Sequence, residues 1–222
     1  MAVAMASGSV LSAQVQQSLC ELYQKYNTVF KPALAIVEST VQKFPAPVLN
    51  EIRAVNDHVA RCFVVGKTEA DYLSEIRKAN GHLIRVTLDC YKIILMCYYD
   101  QVEDFKRAYC DVNLSLVGDG QFLPELTRLN GIAVDKAIKA RRNESDAFPE
   151  KEQAYATYQD AILAYEDVLN YIKGHAKGLA NAEQHAKRRT REENLRNWKF
   201  AVISAILGTL FGWLISDVLY FF

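Results

Sequence analysis

Apolar residues recur along this chain at intervals of three and four, and no convincing run alternates with the two-residue period of a strand. The expected fold is therefore all-α, an antiparallel bundle of long helices. Residues 9–43 place Val15, Leu19, Leu22, Tyr26 and Val29 along one face, with Pro32 kinking or dividing the helix. The two prolines of Phe44-Pro45-Ala46-Pro47 force a break, and a new helix is expected near Val48. Ile76, Ala79, Leu83, Val86, Cys90, Ile93 and Cys97 keep strict three-four spacing. The stripe then moves by one residue into Tyr98, Val102, Phe105, Tyr109 and Val112, so one helix is expected from about Ala70 to beyond Asp111. Asn80-Gly81 is read as helix because the apolar phase passes through it, with a turn there as the alternative.

Val117-Gly-Asp-Gly-Gln is the clearest loop, and it lacks the Lys-Ser/Thr that would follow in a phosphate-cradling loop. Pro124 suits the first turn of the next helix, which reaches Arg141-Arg142. Residues 143–148 form a polar loop, and Pro149 opens another helix. There Tyr155, Tyr158, Ile162, Tyr165, Leu169 and Ile172 alternate at three and four. No proline follows Pro149, so a single helix could run on to the C-terminus.

The last residues, 198–222, change character. No charge falls between Phe200 and Ile215, and a helix of this length at 1.5 Å per residue matches a hydrocarbon core of about 30 Å. A transmembrane helix is expected. Lys187, Arg188, Arg189, Arg191, Arg196 and Lys199 precede it and no cation follows, which predicts a single-pass, tail-anchored protein with its N-terminus in the cytoplasm. Ser204, Gly208, Gly212 and Ser216 recur every fourth residue, a seam of small side chains along which a second copy could pack as a homo-oligomer. Asp217 either reaches the outer headgroups or lines a pore.

Composition adds limits. The formal net charge is +0, against a surface that coats nucleic acid generally, and charge is concentrated instead in the cluster before the apolar segment, where membrane lipid is the expected partner. Residues 1–8 lack the charged and apolar regions of a secretory signal and read as a disordered start. The domain plan is thus a helical bundle over residues 9–196 and a membrane segment over 198–222. Cys20, Cys62, Cys90, Cys97 and Cys110 form no C-x-x-C pair and read as reduced, buried small hydrophobes. No His and Cys set has zinc-ligand spacing, so no metal and no cofactor are expected. His175 and His185 read as solvated or hydrogen-bonded.

One internal repeat carries candidate chemistry. Residues 51–61 and 75–85 both read E-I-R-x-x-N-x-H-x-x-R, shifted by 24 positions. On a helix Glu51, His58 and Arg61 share one flank of the apolar stripe and Asn56 borders the other; Glu75, His82, Arg85 and Asn80 repeat the arrangement. The structural interpretation is a polar ladder in which His and Asn bond across a helical hairpin and each Glu pairs with a neighbouring Arg.

Arg53-x-x-x-x-His58 and Arg77-x-x-x-x-His82 resemble the R-x-x-x-x-H signature of HEPN domains, small all-α bundles that often dimerise. That resemblance implies metal-independent RNA cleavage, with Arg53, His58, Arg77 and His82 as the catalytic set. A HEPN-like motif joined to a membrane helix is also similar in plan to the membrane accessory proteins of type VI CRISPR defence. This likeness implies a bacterial antiphage or stress effector that oligomerises in the inner (cytoplasmic) membrane and perturbs it or forms a pore. Three functional expectations stand side by side: a non-enzymatic membrane effector, a membrane-tethered ribonuclease with RNA as substrate, and a scaffold recruiting a protein partner.

Overall fold

The computed structural model describes residues 11–41, 45–146 and 151–219, with side chains as far as Ala205. The expected disordered start lies outside them. The fold is all-α: α1 (Ala13–Lys25), α2 (Lys31–Val41), α3 (Ala46–Arg61), α4 (Glu69–Ala108), α5 (Phe122–Asp146), α6 (Tyr155–Gly174) and α7 (Ala176–Leu219), with no strand among the described residues.

Local chemistry explains the boundaries. Ser12 caps α1 by accepting from the Val15 amide at 3.3 Å. Between α1 and α2 the backbone widens into a π turn, Tyr26–Phe30, in which the Lys31 amide donates to the Tyr26 carbonyl. Pro32 has no N–H to offer the Thr28 carbonyl, and the wide turn absorbs that missing bond instead of a sharp kink. Pro47 sits in the first turn of α3, where its lost donor is harmless, so the helix starts two residues before Val48. Thr68 and Asp71 cap α4 reciprocally: the Asp71 amide donates to Thr68 Oγ1 at 3.2 Å, and the Thr68 amide donates to Asp71 Oδ2 at 3.0 Å. Asn80-Gly81 is helical, as the apolar phase predicts. α5 continues to Asp146, so residues 143–146 are helix and not loop.

The long final helix expected from Pro149 is divided at His175. The His175 amide bonds the Ile172 carbonyl at 3.1 Å, while its side-chain Nδ1 takes the Tyr171 carbonyl at 2.9 Å. A side chain thus fills the place a backbone N–H holds in an unbroken helix, and Gly174 beside it gives the helix little to lose.

Contacts gather the chain into two compact units, one from Met1–Asp104 with Thr127–Asn170, the other from Phe105–Leu126 with Tyr171–Phe222. In the first, Val15, Cys62 and Ile76 form one apolar cluster with Leu11, Leu19, Tyr72 and Leu73 against it. A second part of its core holds Leu83, Val86, Cys90, Ile94, Tyr158, Ala161 and Val168. Polar ties cross this core: Tyr158 donates to Glu144 at 2.6 Å, Lys92 meets Glu144 at 2.8 Å, Gln159 donates to Tyr91 at 2.9 Å and Tyr98 to Glu166 at 3.2 Å. The second unit is centred on Phe122, fully buried, with Tyr171 stacked on it at 5.5 Å and Phe105 edge-on at 6.0 Å. Gly178 lets α7 pass Val117, since a Cβ there would meet Val117 Cγ1 at 3.1 Å.

The cysteines divide. Cys62 and Cys90 are buried as expected, Cys97 is half-buried, and Cys20 and Cys110 are exposed. Burial pushes the Cys90 thiol up to about 12, so it packs as a neutral hydrophobe.

Among the described residues no helix is long and apolar enough to cross a membrane. The segment expected to do so, 198–222, is described as helical backbone to Leu219 and in its side chains only as far as Ala205, so those of Gly208, Gly212, Ser216 and Asp217 lie outside the description. Of the small-residue seam only Ser204 is described, and it is exposed.

Candidate functional site: a reciprocal histidine and glutamate clasp

The two copies of E-I-R-x-x-N-x-H-x-x-R lie on α3 and on the first part of α4, which run antiparallel as a hairpin. Apolar positions of both copies face inward: Val55 and Val59 from the first, Ile76, Ala79 and Leu83 from the second. That phase fixes where the polar positions go. His58 reaches across to Glu75, Nδ1 to Oε2 at 2.7 Å, and His82 reaches back to Glu51, Nδ1 to Oε2 at 2.7 Å. The imidazoles stack between the pairs with centroids 5.2 Å apart and planes 25° from parallel. Exchanging the two copies maps the cluster onto itself.

Arginines close both ends. Arg61 Nη1 stands 3.4 Å from Glu75 Oε2, and Arg85 Nε stands 3.8 Å from Glu51 Oε2. The exchange symmetry breaks at Lys78, whose ammonium is 2.9 Å from Glu75 Oε1; Ala54 occupies the equivalent place in the first copy. Glu75 is accordingly the more enclosed carboxylate, with its side chain 11% exposed against 25% for Glu51. The hydrogen bond from His58, and then that from Lys78, holds the Glu75 carboxyl down to about 2. An ionised carboxylate can only accept, so His58 carries its proton on Nδ1 and presents Nε2 as the atom free for exchange. The Arg61 guanidinium, close to both Nδ1 and Oε2, therefore bonds the carboxylate.

Each copy of the repeat is thus split in use. Glu51, His58, Arg61, Glu75, His82 and Arg85 come together, and the expected pairing of each Glu with a neighbouring Arg is secondary to its bond from the opposite His. Arg53 and Arg77 are exposed and stand outside the cluster, as does exposed Asn56. Arg77 and half-buried Asn80 border a separate polar recess against α1, together with Gln14, Glu21 and Lys25. Sequence reasoning missed Lys78, which sits outside the repeated letters. Its signal was position alone: three residues after Glu75 is one helical turn away on the same face.

Chemically, the clasp can hold two helices in register and can keep two imidazoles oriented through Nδ1, the arrangement in which His works as a proton donor or acceptor. Among the described residues no group of three or more His, Cys, Asp or Glu side chains is placed to hold a metal ion. His175 packs against Phe122 at 5.1 Å, and His185 is exposed. Protein-family models, curated proteins and solved structures gave no match to this chain.

Proposed function

We propose that this chain is a membrane-anchored, homo-oligomeric helical effector of the inner (cytoplasmic) membrane, held by residues 198–222 and acting on the bilayer without catalysis. One observation carries the reading. Every residue of α7 from position 187 to 205 is exposed, including Trp198 at 66% and Phe200 at 63%, with Leu195, Val202 and Ile203 beside them. A helix gains most of its stability from burying an apolar face, and here the described chain leaves the apolar side chains Leu195, Trp198, Phe200, Val202 and Ile203 largely open. Lipid, or the same helix of other copies within lipid, supplies the missing environment, and the sequence continues apolar from there.

The basic cluster ahead of Phe200 supports an orientation with the helical units on the cytoplasmic side. The clasp serves this role as a structural element that fixes the α3–α4 hairpin. The further step, from anchoring to permeabilising the bilayer in defence, draws on the likeness of plan to membrane accessory proteins of type VI CRISPR systems, which is analogy.

The test uses the full chain in liposomes, with flotation after an alkaline wash and dye release as readouts. Leu207→Lys with Leu210→Lys places two charges in the apolar run, each costing about 2.5–3.5 kcal/mol at a membrane-helix centre. Loss of both flotation and dye release is expected. Undiminished flotation of this variant refutes the anchor; flotation of the natural chain without dye release refutes the effector step and leaves a scaffold.

A further inference from the structure

The second unit carries a groove of about 790 Å³ between the C-terminal end of α4, with the turn after it, and one face of α7. Its α7 wall is built from positions at three-four spacing, Glu183, Lys187, Arg191, Leu195 and Trp198 among them, so one helical face lines it for four turns. Polarity changes steadily along that face. Glu183 and Lys187 neutralise each other at 2.6 Å at the first end, Arg191 stands in the middle, and Leu195 and Trp198 close the other end, where the chain turns apolar. Asp111 enters from the opposite wall.

Resting on the membrane reading above, the geometry points to a binding site for a zwitterionic glycerophospholipid of the ethanolamine type. Its phosphodiester meets the Arg191 guanidinium, which can take two phosphate oxygens at once. Its ammonium meets the Asp111 carboxylate, and the start of its acyl chains lies along Leu195 and Trp198. Two features select this occupant. Once Glu183 and Lys187 cancel, the groove keeps one anion and one cation, matching a headgroup that carries both signs and not a net anionic one. The polar-to-apolar gradient also runs in the direction in which the chain enters its apolar segment, so a lipid in the groove has its tails pointing as its neighbours' do. A groove for a peptide or a second copy has no reason to be graded along its length in that sense. Trp at the membrane end fits the headgroup level that indoles prefer.

The experiment uses the full chain in maltoside micelles with Trp213→Phe, which leaves Trp198 as the sole indole. Dihexanoyl-phosphatidylethanolamine is titrated below its critical micelle concentration and Trp198 emission is followed against a protein-free blank. A saturable change is expected, with Arg191→Gln raising Kd at least tenfold. Asp111→Asn should weaken ethanolamine lipid binding and strengthen dihexanoyl-phosphatidylglycerol binding until the preference inverts. Both positions are exposed, and circular dichroism checks that helicity is kept. A response that never saturates, an Arg191→Gln Kd within twofold of the natural one, a natural preference for the glycerol lipid, or equal displacement by inorganic phosphate overturns the site. Flotation of the same protein after its return to liposomes separates the two readings: flotation without saturable binding removes the groove alone, and saturable binding without flotation removes the anchor alone.

Discussion

Tyr158→Phe removes one oxygen from the middle of the first unit and changes almost nothing else in shape. Tyr158 is fully buried, and its hydroxyl donates to Glu144 Oε2 at 2.6 Å. Glu144 keeps Lys92 at 2.8 Å on its other oxygen, and Lys92 in turn holds Asp89 at 3.2 Å, so the variant leaves a carboxylate that is still paired. Hydrogen bonds to charged groups contribute about 1.5–3 kcal/mol, and the surviving lysine places this loss in the lower half, about 1.5–2 kcal/mol. That is roughly a 10- to 30-fold change in the folding equilibrium, and about 3–8 °C in Tm for a unit of this size. The pH dependence gives a second handle. Glu144 is held below its ordinary value by Lys92 and Tyr158 against the opposing effect of burial. A depressed carboxyl stabilises the fold above its unfolded pKa and loses that contribution as pH falls through the folded one. The penalty of Tyr158→Phe is therefore full at pH 7 and shrinks in acid, where Glu144 is protonated with or without the phenol. Urea denaturation of both chains at pH 7 and pH 3.5 measures it. A difference below about 0.5 kcal/mol at pH 7, or one that grows in acid, refutes the role given to this bond.

The clasp has an acid signature of its own. Because Glu75 is held down to about 2 from an ordinary 4.5, its contribution is complete above the ordinary value and disappears as pH falls toward 2; the stability gap between the natural chain and Glu75→Gln should close over that interval, and a gap constant from pH 6 to 2.5 would show that His58 and Lys78 do not hold the carboxylate. The carboxylate-held imidazoles also motivate an RNA test: incubation of the full chain with single-stranded RNA in chelator should give no cleavage that His58→Ala or His82→Ala abolishes. Cleavage lost in either variant would replace the non-catalytic reading with the ribonuclease one.

Much of the fold was legible from spacing, because burial of one stripe per helix is a period-3.6 constraint that a sequence writes openly. Ile76, Ala79, Leu83, Val86 and Cys90 are buried in the order their spacing implied. Breaks made by side chains were less legible. Pro32 announced a disturbance without saying that a wide turn would absorb it, and nothing in Gly174-His175 declared that an imidazole would take a backbone carbonyl. Exposed Cys20 differs from expectation because a small apolar residue at a helix edge satisfies the period as well as one at its centre, and exposed Cys110 because α4 ends at Ala108, short of the expected Asp111, which leaves Cys110 in the turn. At the clasp, the repeat named the residues and their shared flank, but the partners depended on how the hairpin aligns. Arg53 and Arg77 show the limit of motif spacing: five residues along a helix turn a side chain well away from the one it started beside.

The alignment itself has a simple origin. The midpoint between His58 and Glu75 and the midpoint between Glu51 and His82 are the same point in the chain, between Gly66 and Lys67, and Gly66 at φ +90° is where the backbone reverses. A repeat of constant shift makes this automatic: once the turn lets one histidine meet one glutamate, the second pair follows. The connection between α3 and α4 therefore acts as a ruler. Exposed turns ordinarily accept extra residues, since few contacts depend on their length. Here the two pairs stand or fall together: a change of length in 62–68 that displaces one histidine from its glutamate displaces the other by the same amount, although Phe63 and Val65 lie open to solvent in that turn.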